Sequence, residues 1–256
     1  MMANSSTEAV DYGNWVPKRL VIISGVIGLV FVILALFLPL LFVLAAFFLL
    51  SAVYFAYAYY MFSFSGTDIM AKVRQQLIDH LAGWDGTGKV LDIGCGNGAL
   101  TIEIAKKYPQ AHVMGIDYWG EAWEYSKGVC ERNAQIEGVA GSVTFERASA
   151  SSLPYEDGAY DVVVSNLVFH EVKDVRDKSL LIKEALRVVK AGGWFVFQDL
   201  FLWKAVYGDT NALVESIKRW GIDTVDLEDT SKSDFIPWLL KLPFMLGTVG
   251  VLYGRK

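Results

Sequence analysis

The chain has 256 residues, 54% of them hydrophobic and 20% charged, with a formal net charge of −5. That acidic balance offers no basic field for a phosphate backbone and argues against a nucleic-acid partner. Two separated cysteines, Cys95 and Cys130, and three histidines make neither a disulfide framework nor a metal-ligand set, so a reducing compartment and no metal are expected.

Residues 1–18 read as a polar tail carrying Glu8 and Asp11, too acidic for the start of a signal peptide. From Leu20 through Thr67 no residue is charged. As one helix, Val21 to Tyr60 would run about 60 Å, twice the ~30 Å of a hydrocarbon core. Pro39 near its middle removes a backbone donor and disfavours helix at Leu38. Residues 19–66 are therefore expected to form two antiparallel transmembrane helices, Arg19–Phe37 and Leu40–Phe62. Lys18 and Arg19 precede them and Lys72 and Arg74 follow, which places both ends, and the domain beyond, on the cytosolic side. The turn Phe37–Leu41 has no polar side chain, so a hairpin stopping short of the far headgroups stays open. Ser24, Gly25 and Gly28 form a small-residue face suited to packing the hairpin or a second protomer in a homodimer. Tyr54, Tyr57, Tyr59 and Tyr60 read as an interfacial aromatic belt.

A helix over Asp68–Leu81 and a turn-rich stretch, Gly83–Lys89, lead to the sequence VLDIGCGNG at Val90–Gly98. Val90, Leu91 and Ile93 suit a buried parallel strand. Gly94, Gly96 and Gly98 let the backbone turn sharply beside a ligand, and Ala99–Tyr108 reads as the helix that follows. The spacing is not the dinucleotide pattern G-x-G-x-x-G, because Asp92 precedes G-x-G-x-G. An acid on that strand wants a cation nearby.

The motif D-x-G-x-G-x-G after a strand resembles the first motif of class I S-adenosylmethionine (SAM) dependent methyltransferases, and the resemblance extends over roughly Ile69–Lys256. Val113–Trp119 matches a second strand ending in the acid that takes the ribose hydroxyls, Asp117, with Tyr118 and Trp119 beside the adenine. Arg147–Pro154 matches the loop that reads the adenine amino group, although Ser149 stands where that family has an acid, which shifts weight to the backbone around Ala150. Tyr160–Val172 and Leu186–Asp199 match the fourth and fifth strands. The resemblance implies a single domain over residues 67–256, with a doubly wound, mostly parallel seven-stranded α/β sheet and a terminal antiparallel hairpin at Asp223–Glu228 and Thr248–Tyr253. It implies a SAM site built from Asp92, Gly94, Cys95, Gly96, Asn97, Gly98, Asp117, Tyr118, Trp119, Ser149, Ala150 and Asn166.

Methyl transfer from a sulfonium is an in-line displacement that rests on proximity and alignment. The acceptor is expected beyond the carboxyl ends of the strands. There His170 could take a proton, with Glu171 or Asp199 orienting it or binding an ammonium. Trp203, and Trp238 and Phe244 within the apolar stretch Phe235–Met245, are the acceptor-binding candidates. Beside a membrane anchor, this apolar face favours a lipophilic small molecule such as a quinone precursor, an isoprenoid or a lipid amine. A tethered enzyme of a water-soluble acceptor and a non-catalytic SAM-binding subunit are the alternatives.

Overall fold

The computed structural model describes residues 9–63, 67–120 and 125–256. They fall into two compact units. One spans residues 13–71; the other joins residues 72–256 with the tail residues from Ala9 to Tyr12, so the tail divides at Tyr12.

In the smaller unit, α1 (Lys18–Ala35) and α2 (Phe42–Met61) lie side by side. Gly25 faces Ala52, Gly28 faces Leu49, and Phe31 stacks on Phe48 with ring centroids 5.7 Å apart. One number rises as the other falls, so the helices are antiparallel. The glycine stripe works inside the hairpin: a Cβ on Gly28 would sit 2.7 Å from a Leu49 methyl. Leu38, preceding a proline, is extended at φ −134° and ψ 91°. Pro39 then opens a short 3-10 turn, Pro39–Leu41, so α1 ends two residues before Phe37 and α2 starts two residues after Leu40. At 1.5 Å per residue the helices are about 27 and 30 Å long. By length and composition both are sufficient to cross a membrane. Most of their large side chains are exposed, Ile22 at 62% and Leu50 at 69%.

The larger unit is built on seven strands: β1 (Gly88–Ile93), β2 (Ala111–Asp117), β3 (Val143–Arg147), β4 (Tyr160–Asn166), β5 (Val189–Asp199), β6 (Thr224–Asp229) and β7 (Gly250–Arg255). Their order is β3-β2-β1-β4-β5-β7-β6, with β7 antiparallel to both neighbours and the rest parallel. Parallel strands buried on both faces need continuous apolar runs, and VVV at Val162–Val164 and FVF at Phe195–Phe197 are fully buried. One face packs α3 (Ile69–Asp79), α4 (Ala99–Lys107) and α5 (Lys127–Ile136). The other packs α6 (Ser179–Arg187) and α8 (Thr210–Lys218). A short helix, α7 (Lys204–Tyr207), follows β5. The last two strands begin one and two residues later than expected. Because Asp199, Gly250 and Asp229 share one level of the ladder, the β6–β7 connection leaves and returns at the carboxyl edge of β5.

Candidate cofactor and acceptor site

The loop after β1 turns on three left-handed glycines, Gly94, Gly96 and Gly98, at φ +75°, +57° and +83°. A Cβ on Gly94 would lie 2.2 Å from a Val168 methyl, whereas one on Gly96 would meet nothing nearer than the Tyr125 ring at 3.5 Å. Crowding therefore fixes Gly94, and backbone conformation fixes Gly96. The Gly94 and Cys95 amides both donate to the Ile116 carbonyl, at 2.7 and 2.9 Å, and dock the loop on β2.

Asp92 is 1% exposed, and its side chain accepts a hydrogen bond from the Thr101 hydroxyl at 2.6 Å. Burial raises its pKa to about 7, against the Thr101 hydrogen bond and with the charge of Asp117 adding to the rise. Asp117 accepts from the Gly96 amide through Oδ2 (2.9 Å) and from the Trp119 amide through Oδ1 (2.7 Å). Burial raises its pKa too, opposed by these amides and that of Tyr118. The carboxylate keeps acceptor capacity for a hydroxyl. The Trp119 indole donates to the Gly96 carbonyl at 2.8 Å, and Tyr118 is exposed under the Arg147 guanidinium. Ser149 shares a hydrogen bond with the Ser151 hydroxyl and accepts from its amide, within the turn that includes Ala150. Trp119 and Leu167, just past β2 and β4, have positive φ, a conformation costing a non-glycine residue about 1–2 kcal/mol.

The edge of β4 and β5 carries a second charged group. His170 Nδ1 lies 2.6 Å from the fully buried Asp199, and its Nε2 lies 3.5 Å from Glu171. Burial disfavours the imidazolium, but the two carboxylates outweigh it and raise the pKa of His170 to about 10. The buried Tyr207 phenol is pushed well above its ordinary value by burial and by Asp199. Trp203 is half-buried ahead of α7, whereas Trp238 (79% exposed) and Phe244 (47%) stand out on the β6–β7 connection. The structure thus brings His170, Glu171 and Asp199 together, and Asp92 and Asp117 around the glycine turn.

Thr101, Asn133, Gln198 and Tyr207 were not singled out in the sequence. Gln198 is 1% exposed beside Asn166 in the ladder, and among the described residues its side-chain amide has no hydrogen-bond partner; neither has the Asn166 side-chain oxygen. Strand alternation places both on the face of Asp92, a signal that was readable once the strands were assigned.

An α/β sheet with a glycine turn and an acid at the ends of its first two strands defines a nucleoside-cofactor protein of the Rossmann-like class. The methyltransferase-domain family matches residues 85–230, more than half of the chain, and the protein belongs to it. Norajmaline N-methyltransferase of Rauvolfia serpentina is 30% identical over 162 residues, 60% of this chain and 51% of that enzyme. A ubiquinone/menaquinone biosynthesis C-methyltransferase, UbiE of Geotalea daltonii, is 30% identical over 113 residues, 44% and 45% of the two chains. This chain thus spans about half the length of these curated relatives. Geranyl diphosphate C-methyltransferase of Streptomyces coelicolor A3(2), solved with geranyl diphosphate and S-adenosyl-L-homocysteine, shares the fold: its TM-score is 0.54 at 14% identity, over 73% of this chain and 79% of that one.

The chain thus carries a methyltransferase domain, and its residues fit SAM as the cofactor. Among the described residues, Asp92 is a buried carboxylate with a hydroxyl but no cation beside it, and the Asn97 side-chain amide nitrogen is buried without a partner. SAM brings a sulfonium, an ammonium and a ribose diol, complementary to these groups.

Proposed function

We propose that the protein is a membrane-anchored methyltransferase that moves the methyl group of SAM to a lipophilic small molecule of quinone, isoprenoid or lipid type. The observation that carries this reading is the pairing, in one chain, of two span-length apolar helices with exposed apolar side chains on the acceptor edge of the sheet. The UbiE relative, named for ubiquinone and menaquinone biosynthesis, supports the same acceptor class. SAM supplies an electrophilic methyl group. Around it, Asp92 offsets positive charge, Asp117 takes the ribose hydroxyls, Tyr118 and Trp119 flank the adenine with the Ser149–Ala150 turn, and Asn166 closes the methionine end. Water exclusion falls to the apolar face, with Trp203, Trp238 and Phe244 admitting the acceptor. His170, charged between Asp199 and Glu171, is a fixed cation on the acceptor side; as a base it would have to be neutral, and activity would then climb through about pH 10. Both ends of the hairpin, and the catalytic domain, lie on the cytosolic side in this reading.

Membranes incubated with methyl-labelled SAM should yield a labelled product that partitions into organic solvent and is identified by mass. Burying a large side chain against an apolar ligand contributes on the order of 1.5–3 kcal/mol. Trp238→Ser should therefore raise the Michaelis constant of that acceptor about tenfold or more and leave SAM affinity unchanged. Unaltered activity on a lipophilic acceptor in both Trp238→Ser and Trp203→Ser would reject the lipid entrance. The N-methyltransferase relative favours a second reading, a tethered enzyme of a water-soluble amine held by Glu171 or Asp199; a labelled product in the aqueous phase would select it.

A further inference from the structure

One face of α5 is devoted to the cofactor loop. The amide of Ser126, its N-cap, donates to the Asn97 side-chain oxygen at 3.1 Å, the Cys130 thiol donates to the Gly96 carbonyl at 3.1 Å, and Asn133 Nδ2 donates to the Asn97 carbonyl at 3.0 Å. The spacing of four and then three residues aligns them on one side of the helix. Asn133 is completely buried, and the rest of its amide is taken by the chain ahead of the apolar hairpin: Oδ1 accepts from the Asp11 amide at 2.9 Å and Nδ2 also donates to the Asp11 carbonyl at 2.8 Å. The next residue is pinned as well. The Tyr12 hydroxyl lies 3.2 Å from Glu137 Oε1, and the Tyr12 ring lies under the guanidinium of Arg74, which is itself bonded to Glu103.

We infer that Asn133 is a positioning residue for the SAM loop, and that the backbone of Asp11 completes it. A primary amide donating to two carbonyls and accepting from one N–H has a single orientation that satisfies all three. Without Asp11 the buried oxygen of Asn133 loses its donor, the amide turns to find another, and the Asn97 carbonyl loses its support. That carbonyl lies between Gly96 and Gly98, whose left-handed backbones have no side chains to brace them. The segment preceding the hairpin is then a working part of the cofactor site.

The test uses the full-length protein in detergent, with SAM as the titrant in calorimetry. Asn133→Leu keeps the volume and removes the amide; Asp11→Pro removes the N–H; Ala9→Pro controls for stiffening of the segment. Asn133→Leu and Asp11→Pro should each weaken SAM on the order of tenfold. The double variant should be no worse than the weaker-binding single one, because both break one clamp. Exchange of the Gly96 and Gly98 amides should quicken in both, the Michaelis constant for SAM should rise more than that for the acceptor, and Ala9→Pro should match the parent. Parental SAM affinity in Asp11→Pro, losses that multiply in the double variant, or an equal loss in Ala9→Pro would each overturn the inference. If Asn133→Leu does not fold, Asp11→Pro alone decides, by its SAM affinity and its Gly96 and Gly98 exchange relative to Ala9→Pro.

Discussion

Binding of SAM should be linked to the ionisation of Asp92. In the free protein this carboxyl is 1% exposed, has the Thr101 hydroxyl as its side-chain partner, and has a pKa of about 7. Placing a cation beside it favours the carboxylate, so binding below that pH expels a proton. With an apparent pKa of about 7, roughly one molecule in eleven is ionised at about pH 6 and ten in eleven at about pH 8, so the dissociation constant should fall about tenfold between them and level off above. For the free protein the sign is the reverse. A carboxyl raised above its unfolded value of 3.8 favours folding while protonated, and that contribution is lost as pH rises from about 4 through about 7. Calorimetry in two buffers of different ionisation enthalpy measures both affinity and protons released. Asp92→Asn should bind weakly and lose the pH-dependent part, and any slope it retains reports titration of the ligand's own ammonium. A flat profile in the parent, or an identical slope in Asp92→Asn, would refute the assignment of Asp92 as the partner of the cofactor's positive charge.

Asp117→Ala should weaken SAM by roughly 2–3 kcal/mol, the range for hydrogen bonds to a charged group, because it also frees the amides of Gly96 and Trp119; unchanged affinity in the folded variant would remove Asp117 from the ribose site. His170→Gln should cost about 3–5 kcal/mol of folding stability near neutral pH, since it leaves the fully buried Asp199 without its cation. The pKa of His170 is raised from 6.5 to about 10, so its contribution is full below about pH 6.5 and is lost as pH rises through about 10. Denaturant unfolding should accordingly show the gap to the parent narrowing at high pH, and a gap that widens would contradict the pairing.

Local chemistry carried much of this structure into the sequence. Three glycines at alternate positions need left-handed backbone, and Pro39 can only start a helical turn, so the cofactor loop and the hairpin break fell where those residues stand. The ends of elements were less legible. Lys190 to Gly193 interrupt the pairing of β4 with β5, where the partner of Tyr160 is Val189 and that of Val162 is already Trp194; the adjacent Gly192, at φ +72°, and Gly193 mark such a bulge but do not fix where pairing stops and resumes. Contacts distant in sequence were not legible at all. Asn133 lies 122 residues from Asp11 and 36 from Asn97, and within the helix it reads as an ordinary polar residue until the fold closes over it.

Two buried carboxylates at the same edge of the sheet meet opposite fates. Asp199 has its own cation, His170 at 2.6 Å, and the amide of Leu200 at 2.6 Å, so its charge is balanced within the protein. Asp92 has a hydroxyl and two acidic neighbours in its field, Asp117 and Glu103, and no cation among the described residues balances its charge. A protein that only needed stability would have replaced such a carboxyl, since burying an unpaired charge costs several kcal/mol. Its survival in a fully buried position is intelligible if a positively charged ligand completes it. In the proposed reading the strand ends divide by charge: β1 and β2 await the cation of the cofactor, while at β4 and β5 His170 already sits between Asp199 and Glu171. In that reading a neutral lipophilic acceptor suits this edge better than a cationic one, because a second cation could reach the buried Asp199 only by displacing His170.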